Sequence, residues 1–92
     1  MSEAQLSNAV RELALLLGWR GYHTFDSRRS DPGFPDWVFV RDRVLYAELK
    51  AVRGVLSPGQ VAWRDALVGA GAEWHLWDPS HWRDGTIEAA LR

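Results

Sequence analysis

The stretch that most constrains this chain runs from Gly33 to Lys50 and reads GFPDWVFVRDRVLYAELK. Two short apolar runs, PDWVFV and RVLYAELK, meet at Arg41, Asp42 and Arg43, the pattern of a β-hairpin with a polar tip. Three ionisable side chains interrupt the apolar pattern. Asp36 opens the first strand, while Glu48 and Lys50 lie near the end of the second, one residue apart. The two-residue period of a strand therefore aims both at one face. Packing gains nothing from this, because Val or Ile would fill those positions better and an unpaired buried charge costs about 3 kcal/mol or more.

Register decides whether the charges meet. A two-residue turn at Asp42 and Arg43 would pair Trp37 with Glu48 and put Asp36 on the wrong face. A three-residue tip at 41–43 pairs Val40 with Val44 and hence Asp36 with Glu48. It places Asp36, Glu48 and Lys50 on one face and Trp37, Phe39, Leu45, Ala47 and Leu49 on the other. The second register is predicted. It sets two carboxylates opposite each other at about 5 Å, an arrangement that repels unless a cation sits between them. A divalent metal answers that need, with the Lys50 ammonium completing the charge balance.

At these residues the chain resembles a known pattern. Asp36 after Pro35, followed by Glu48-Leu49-Lys50, matches the PD-(D/E)xK nuclease signature. GFPD, the ELK triplet and Ser57-Pro58-x-Gln60 with Trp63 look more narrowly like the virus-type replication-repair nuclease (VRR-NUC) family, over about Glu3 to Trp77. The resemblance implies an α/β fold, a small restriction-endonuclease-like core in the order α-β-β-β-α-β, with a mixed sheet flanked by helices. It also implies a metal site in which an acid from the first helix and the Leu49 carbonyl join Asp36 and Glu48.

Ninety-two residues suit one domain, and residues 1–92 are expected to stand alone as one such unit. The six Trp exceed what so small a core easily hides, so some are expected at a partner surface or dimer interface, with half-exposure as the alternative. With no Cys there is no disulfide, zinc-thiolate site or thiol catalysis, which fits an intracellular protein working at DNA. No signal peptide is evident, and Leu13 to Leu17 is far too short to span a bilayer, so no membrane partner is expected. The net charge of −1 argues against coating DNA by bulk electrostatics. Distribution matters more: Arg20 to Arg53 carries seven basic against five acidic residues, a local +2.

Along the chain, Ser2 and Gln5 form a capping-box pattern for a helix from Glu3 to Leu17, stopped by Gly18, with Leu6, Val10, Leu13 and Leu17 as its stripe. Glu3 has two readings, complementing the helix dipole or reaching the metal site. Trp19 to Phe25 reads as a strand, in which His23 is more simply a half-buried residue than a ligand. The loop Asp26 to Pro32 carries Arg28, Arg29 and Ser30, residue types that position phosphates. Arg53-Gly54 offers a second DNA contact. Ser57, Pro58 and Gln60 open another capped helix, ended by Gly69 and Gly71. Gln60 has two candidate jobs, returning to Ser57 as a cap or facing the site. Ala72 to Trp77 reads as a fourth strand, Asp78-Pro79-Ser80 as a turn, and His81 through Leu91 as a short helix packed by Trp82, Ile87 and Leu91. His75 and His81 have no spacing that fits the acids.

The chemistry that follows is hydrolysis of a DNA phosphodiester dependent on Mg²⁺ or Mn²⁺, with no small-molecule cofactor. Asp36, Glu48, Lys50 and Gln60 are the expected catalytic residues. Glu3, Asp36, Glu48 and the Leu49 carbonyl are the expected metal ligands, and Arg28, Arg29, Ser30 and Arg53 the DNA contacts. With no added reading domain, recognition by DNA shape is the mode left, and the resemblance points to branched DNA, a junction or flap, in replication, recombination or repair. A symmetric homodimer would present two sites to a four-way junction, while a monomer would suit nicking or flap trimming. The alternatives are a non-catalytic DNA-binding or assembly module that retains the fold, and a structural domain whose hairpin charges form an ordinary ion-pair network.

Overall fold

The predicted hairpin lies in the middle of the sheet, where both of its strands have neighbours on either side. The computed structural model describes residues 1–25 and 29–92. Those residues form α1 (Glu3–Leu16), β1 (Arg20–His23), β2 (Trp37–Val40), β3 (Val44–Leu49), α2 (Pro58–Gly69), β4 (Glu73–Trp77), α3 (Pro79–Arg83) and α4 (Thr86–Leu91). The strand order is β1-β2-β3-β4, antiparallel except for the parallel pair β3 and β4. A parallel pair needs a long crossover, and α2 supplies it. The sheet is therefore mixed and the expected α-β-β-β-α-β order is present.

Beyond β4 the chain departs from the single helix expected over His81 to Leu91. Asp78 is a helix N-cap rather than part of a free turn: its carboxylate accepts from the Ser80 N–H at 2.7 Å, and Pro79 occupies the first turn of α3. The helix then breaks at Gly85, whose φ of 84° lies in the left-handed region that glycine enters without steric cost, and α4 starts afresh. Ile87 and Leu91 are fully buried and Trp82 packs against them, so the expected packing residues hold although the helix is two.

One face of the sheet carries the core. Leu6, Val10 and Ala14 of α1 meet Trp37, Phe39, Leu45, Ala47 and Leu49, closed by Trp77, Ile87 and Leu91. The buried stripe of α1 is Leu6, Val10 and Ala14, with Leu13 and Leu17 partly buried beside it. The opposite face is thinner: α2 buries no residue completely, and Phe34 fills the gap edge-on to Trp63 at 5.0 Å and Tyr46 at 6.1 Å. Trp19, Trp37 and Trp77 are buried and Trp63, Trp74 and Trp82 half-buried, which matches the half-exposure given as the alternative for the surplus Trp. Tyr22 and Phe25 are the exposed aromatics instead.

The hairpin tip is a structural clamp. Arg41 N–H donates to the Arg43 carbonyl at 3.0 Å, closing the tip of three residues. The Arg41 guanidinium lies 4.4 Å from the Trp19 ring centroid and donates to the carbonyls of Leu17, Leu91 and Arg92 at 3.1, 3.2 and 3.2 Å. Those carbonyls have no partner within their helices, the Leu91 carbonyl also accepting from Trp19 Nε1 at 2.7 Å, and a cation there suits the helix dipole. Arg43 does the same for Ala90 at 2.6 Å and pairs with Glu73 at 2.7 Å.

Candidate active site

The register places the acids as the tip length demands. Val40 pairs with Val44 and Trp37 with Ala47, which puts Asp36, one residue before β2, opposite Glu48. β2 begins at Trp37, so Asp36 precedes the strand rather than opening it. Its backbone is still held in line, because its carbonyl accepts from Thr24 N–H at 2.9 Å. Its carboxylate turns inward and accepts from Leu49 N–H at 2.8 Å. In an extended strand the N–H and C=O of one residue face the same neighbouring strand. The Leu49 carbonyl is thus directed to the side where Asp36 lies, and Leu49 lines the same cleft as Asp36 and Glu3.

Glu48 is the one buried charged residue among the described residues, 2% exposed. Burial first, then the Asp36 charge and a hydrogen bond with Asp36, push its carboxyl from the ordinary 4.5 up to about 9, against a downward pull from Lys50. The carboxyl therefore carries a proton across neutral pH, which is how two facing carboxylates avoid repelling each other when no cation is between them.

Gln60 holds Glu48 from below. Its side-chain carbonyl accepts from Ser57 N–H at 2.8 Å while its Nε2 donates to Glu48 Oε1 at 3.0 Å. The two jobs that the sequence offered as alternatives are done at once by the two ends of one amide. The position of α2 depends on a backbone interlock that the sequence reading did not identify. A Cβ on Gly33 would lie 2.2 Å from the Gly59 carbonyl carbon and 2.4 Å from Gln60 N, and Gly33 has a φ of 89°. Only glycine fits there, and the contact ties the loop before Asp36 to the first turn of α2. Its signal was in plain view, since one glycine opens GFPD and the other stands inside SPGQ.

Lys50 follows β3 directly, with its N–H donating to the Trp77 carbonyl at 3.0 Å, and is half-buried. It shares the parity of Glu48 and acts on it electrostatically. Gly54 leaves room for it: a Cβ there would sit 2.9 Å from Lys50 Cβ and 3.2 Å from Cδ. The neighbouring Arg53 is exposed with a φ of 63°. Arg29 is exposed and Ser30 half-buried, whereas Arg28 lies outside the described residues. Glu3, at the N-terminus of α1, lines a cleft of about 460 Å³ together with Asp36, Leu49, His23 and Phe25. Its charge adds to the upward push on Glu48. His23 is exposed, not half-buried as the sequence implied.

These residues fit a hard divalent ion. Among the described residues no three His, Cys, Asp or Glu side chains stand close enough to bind one alone. Mg²⁺ does not need that, since it is held by one or two carboxylates with waters and substrate phosphates completing the shell. Asp36 and Glu48 would supply the carboxylates and the Leu49 carbonyl a third oxygen, and a cation there would relieve the repulsion between the two facing acids.

A mixed sheet flanked by helices, with facing carboxylates and a following lysine on its middle hairpin, has the architecture of a small PD-(D/E)xK core. One solved structure, a VRR_NUC domain, superimposes with a TM-score of 0.69 at 21% sequence identity, covering 80% of this chain and 81% of that chain. The fold of this chain is that of a VRR-NUC domain. No family model matches the sequence, and no curated protein matches it.

Proposed function

We propose that this protein is a metal-dependent DNA endonuclease that hydrolyses phosphodiester bonds in branched DNA. The observation that carries the reading is the buried Glu48 carboxyl set opposite Asp36 by the strand register, braced by Gln60 and followed by Lys50. An ordinary structural ion-pair network would match acids with bases, whereas here two acids face each other. The likeness to a VRR_NUC domain supports the same class.

Asp36, Glu48 and the Leu49 carbonyl would hold Mg²⁺ or Mn²⁺. Such an ion, when bound, polarises the scissile phosphate and acidifies an attacking water. Gln60 fixes the Glu48 carboxylate in one orientation, so the oxygens facing the substrate need not reorganise. Lys50, which shares the parity of Glu48, would bring its ammonium to the same face and offset charge developing on the phosphorus. Arg29, Ser30 and Arg53 would contact the flanking phosphates, which position DNA without reading its sequence. Recognition by shape is the mode that such phosphate contacts suit, since they carry no base information.

The test is incubation of the purified protein with a labelled four-way junction, a flap and a linear duplex, in Mg²⁺, Mn²⁺ or EDTA. Cleavage that requires metal, prefers a branched substrate and disappears in Asp36→Asn and Lys50→Ala is expected. Junction binding without cleavage in either metal would instead identify a binding module.

A further inference from the structure

The cleft beside the acids has a second feature that the hydrolysis chemistry does not use. Phe39, Trp37 and His23 form a run of stacked rings: Phe39 lies 5.1 Å from Trp37 with planes 8° apart, and Trp37 lies 4.5 Å from His23 with planes 28° apart. Phe39 is fully buried and Trp37 nearly so, while His23 is exposed. The stack thus runs from the core out to the cleft and ends on an imidazole. Trp37 is locked in that stack by its Nε1, which donates to Ser7 Oγ at 2.9 Å.

Phe25 stands two residues further along the same chain and is 94% exposed, the most exposed of the large apolar side chains among the described residues. It lines the cleft together with His23, Asn8 and Asp36. Thr24 N–H still pairs with the Asp36 carbonyl, so the chain stays extended past β1. His23 and Phe25 thus set two exposed rings into the lining of one cleft, each with a π-face that a base can stack on.

The lining also says what kind of ring. Glu3 and Asp36 are the charged groups of the wall, and no Lys or Arg contributes to it among the described residues, so apart from an ion held at Asp36 the wall offers no cation to a phosphate. A volume of about 460 Å³ lies within the range of about 300–1,000 Å³ that holds small ligands, enough for one nucleoside and not for a duplex. Asn8 adds an amide that can both donate to and accept from a base edge.

We propose that His23 and Phe25 receive a single unstacked nucleobase next to the scissile phosphate. The site thereby selects DNA with an unpaired or splayed nucleotide at the branch. This inference rests on the nuclease reading for its substrate, and it makes the branch preference a stacking selection.

The experiment is a binding cycle in Ca²⁺. Wild type, Phe25→Ala and Phe25→Trp are each titrated against a flap carrying one unpaired adenine at the branch, and against the same flap with an abasic site there. Wild type is expected to bind the abasic flap about 10-fold more weakly, the scale of one base–aromatic stack. Phe25→Ala should bind the intact flap about 10-fold more weakly and lose little more when the base is removed, while Phe25→Trp keeps the wild-type difference. Independent, multiplying losses from Phe25→Ala and from base removal would overturn the proposal. So would a Phe25→Ala variant that binds both flaps as wild type does but sediments as a smaller species, which would make Phe25 a subunit contact. Metal-dependent cutting by wild type, measured in parallel, separates the two ideas. Cutting without coupling sinks the stacking platform alone, and the absence of both binding and cutting sinks the nuclease reading with it.

Discussion

Gln60 Nε2 donates to Glu48 Oε1 at 3.0 Å while the other end of the same amide caps α2. Helix start and buried acid are therefore one unit: wherever the first turn of α2 goes, the orientation of Glu48 follows. That coupling makes stability and activity separable by mutation. Ser57→Ala removes the hydroxyl that accepts from Gln60 N–H and should cost about 1 kcal/mol in a urea melt while leaving the rate near wild type. Gln60→Ala should cost about the same in stability and lower kcat about 10- to 100-fold, the usual effect of losing a group that orients a ligand. Equal rates for the two variants would separate Gln60 from the chemistry.

Glu48 sets a pH dependence of unusual sign for an acid. Its pKa is raised from 4.5 to about 9, so between those values the folded protein binds a proton that the unfolded chain does not. Stability must then fall as pH rises through that window. Chemical melts in EDTA should show the protein losing on the order of a few kcal/mol between pH 5 and pH 9. Glu48→Gln, which keeps the shape without the ionisation, should flatten this slope and be the more stable protein at pH 8. Mg²⁺ should raise the wild-type Tm more at pH 8 than at pH 5, because only the ionised pair gains from a cation.

The Gly33–Gly59 interlock predicts a graded response. Gly33→Ala places a methyl inside the α2 backbone at a positive φ, and should cost more than about 3 kcal/mol or prevent folding. Gly59→Ala meets the Pro32 carbonyl at 3.0 Å, a contact relieved by a shift of a few tenths of an ångström. It should fold, with a small loss in Tm and a larger loss in rate, since the shift moves Gln60 relative to Glu48.

Arg41 offers the opposite case, a charged residue on the hairpin of the two acids with a structural job. Arg41→Ala loses its place over Trp19 and its three bonds to helix-end carbonyls, and should cost about 2 kcal/mol with the rate unchanged. Arg41→Lys should recover little, because an ammonium cannot span three carbonyls and stack on an indole. Thermal melts and initial rates on the same preparations check both.

What the sequence determined by itself is what short-range chemistry dictates. The capping boxes at Ser2 and Ser57, the tip of three residues, and the facing of Asp36 with Glu48 each depend on residues within a few positions or on the strict period of two. Tertiary structure decided the rest. Gln60 could be seen to cap or to face the site, and only the seating of α2 against the sheet let one amide do both. Arg41 and Arg43 read as polar tip residues because the carbonyls they hold belong to helices on either side of them in the chain, up to 51 residues away. Gly33 and Gly59 were visible inside their motifs, yet their contact joins a loop to the first turn of a helix further along the chain and cannot be read from either motif alone. The Glu48 proton is likewise a property of burial, and no sequence states which carboxyl will be sealed from water.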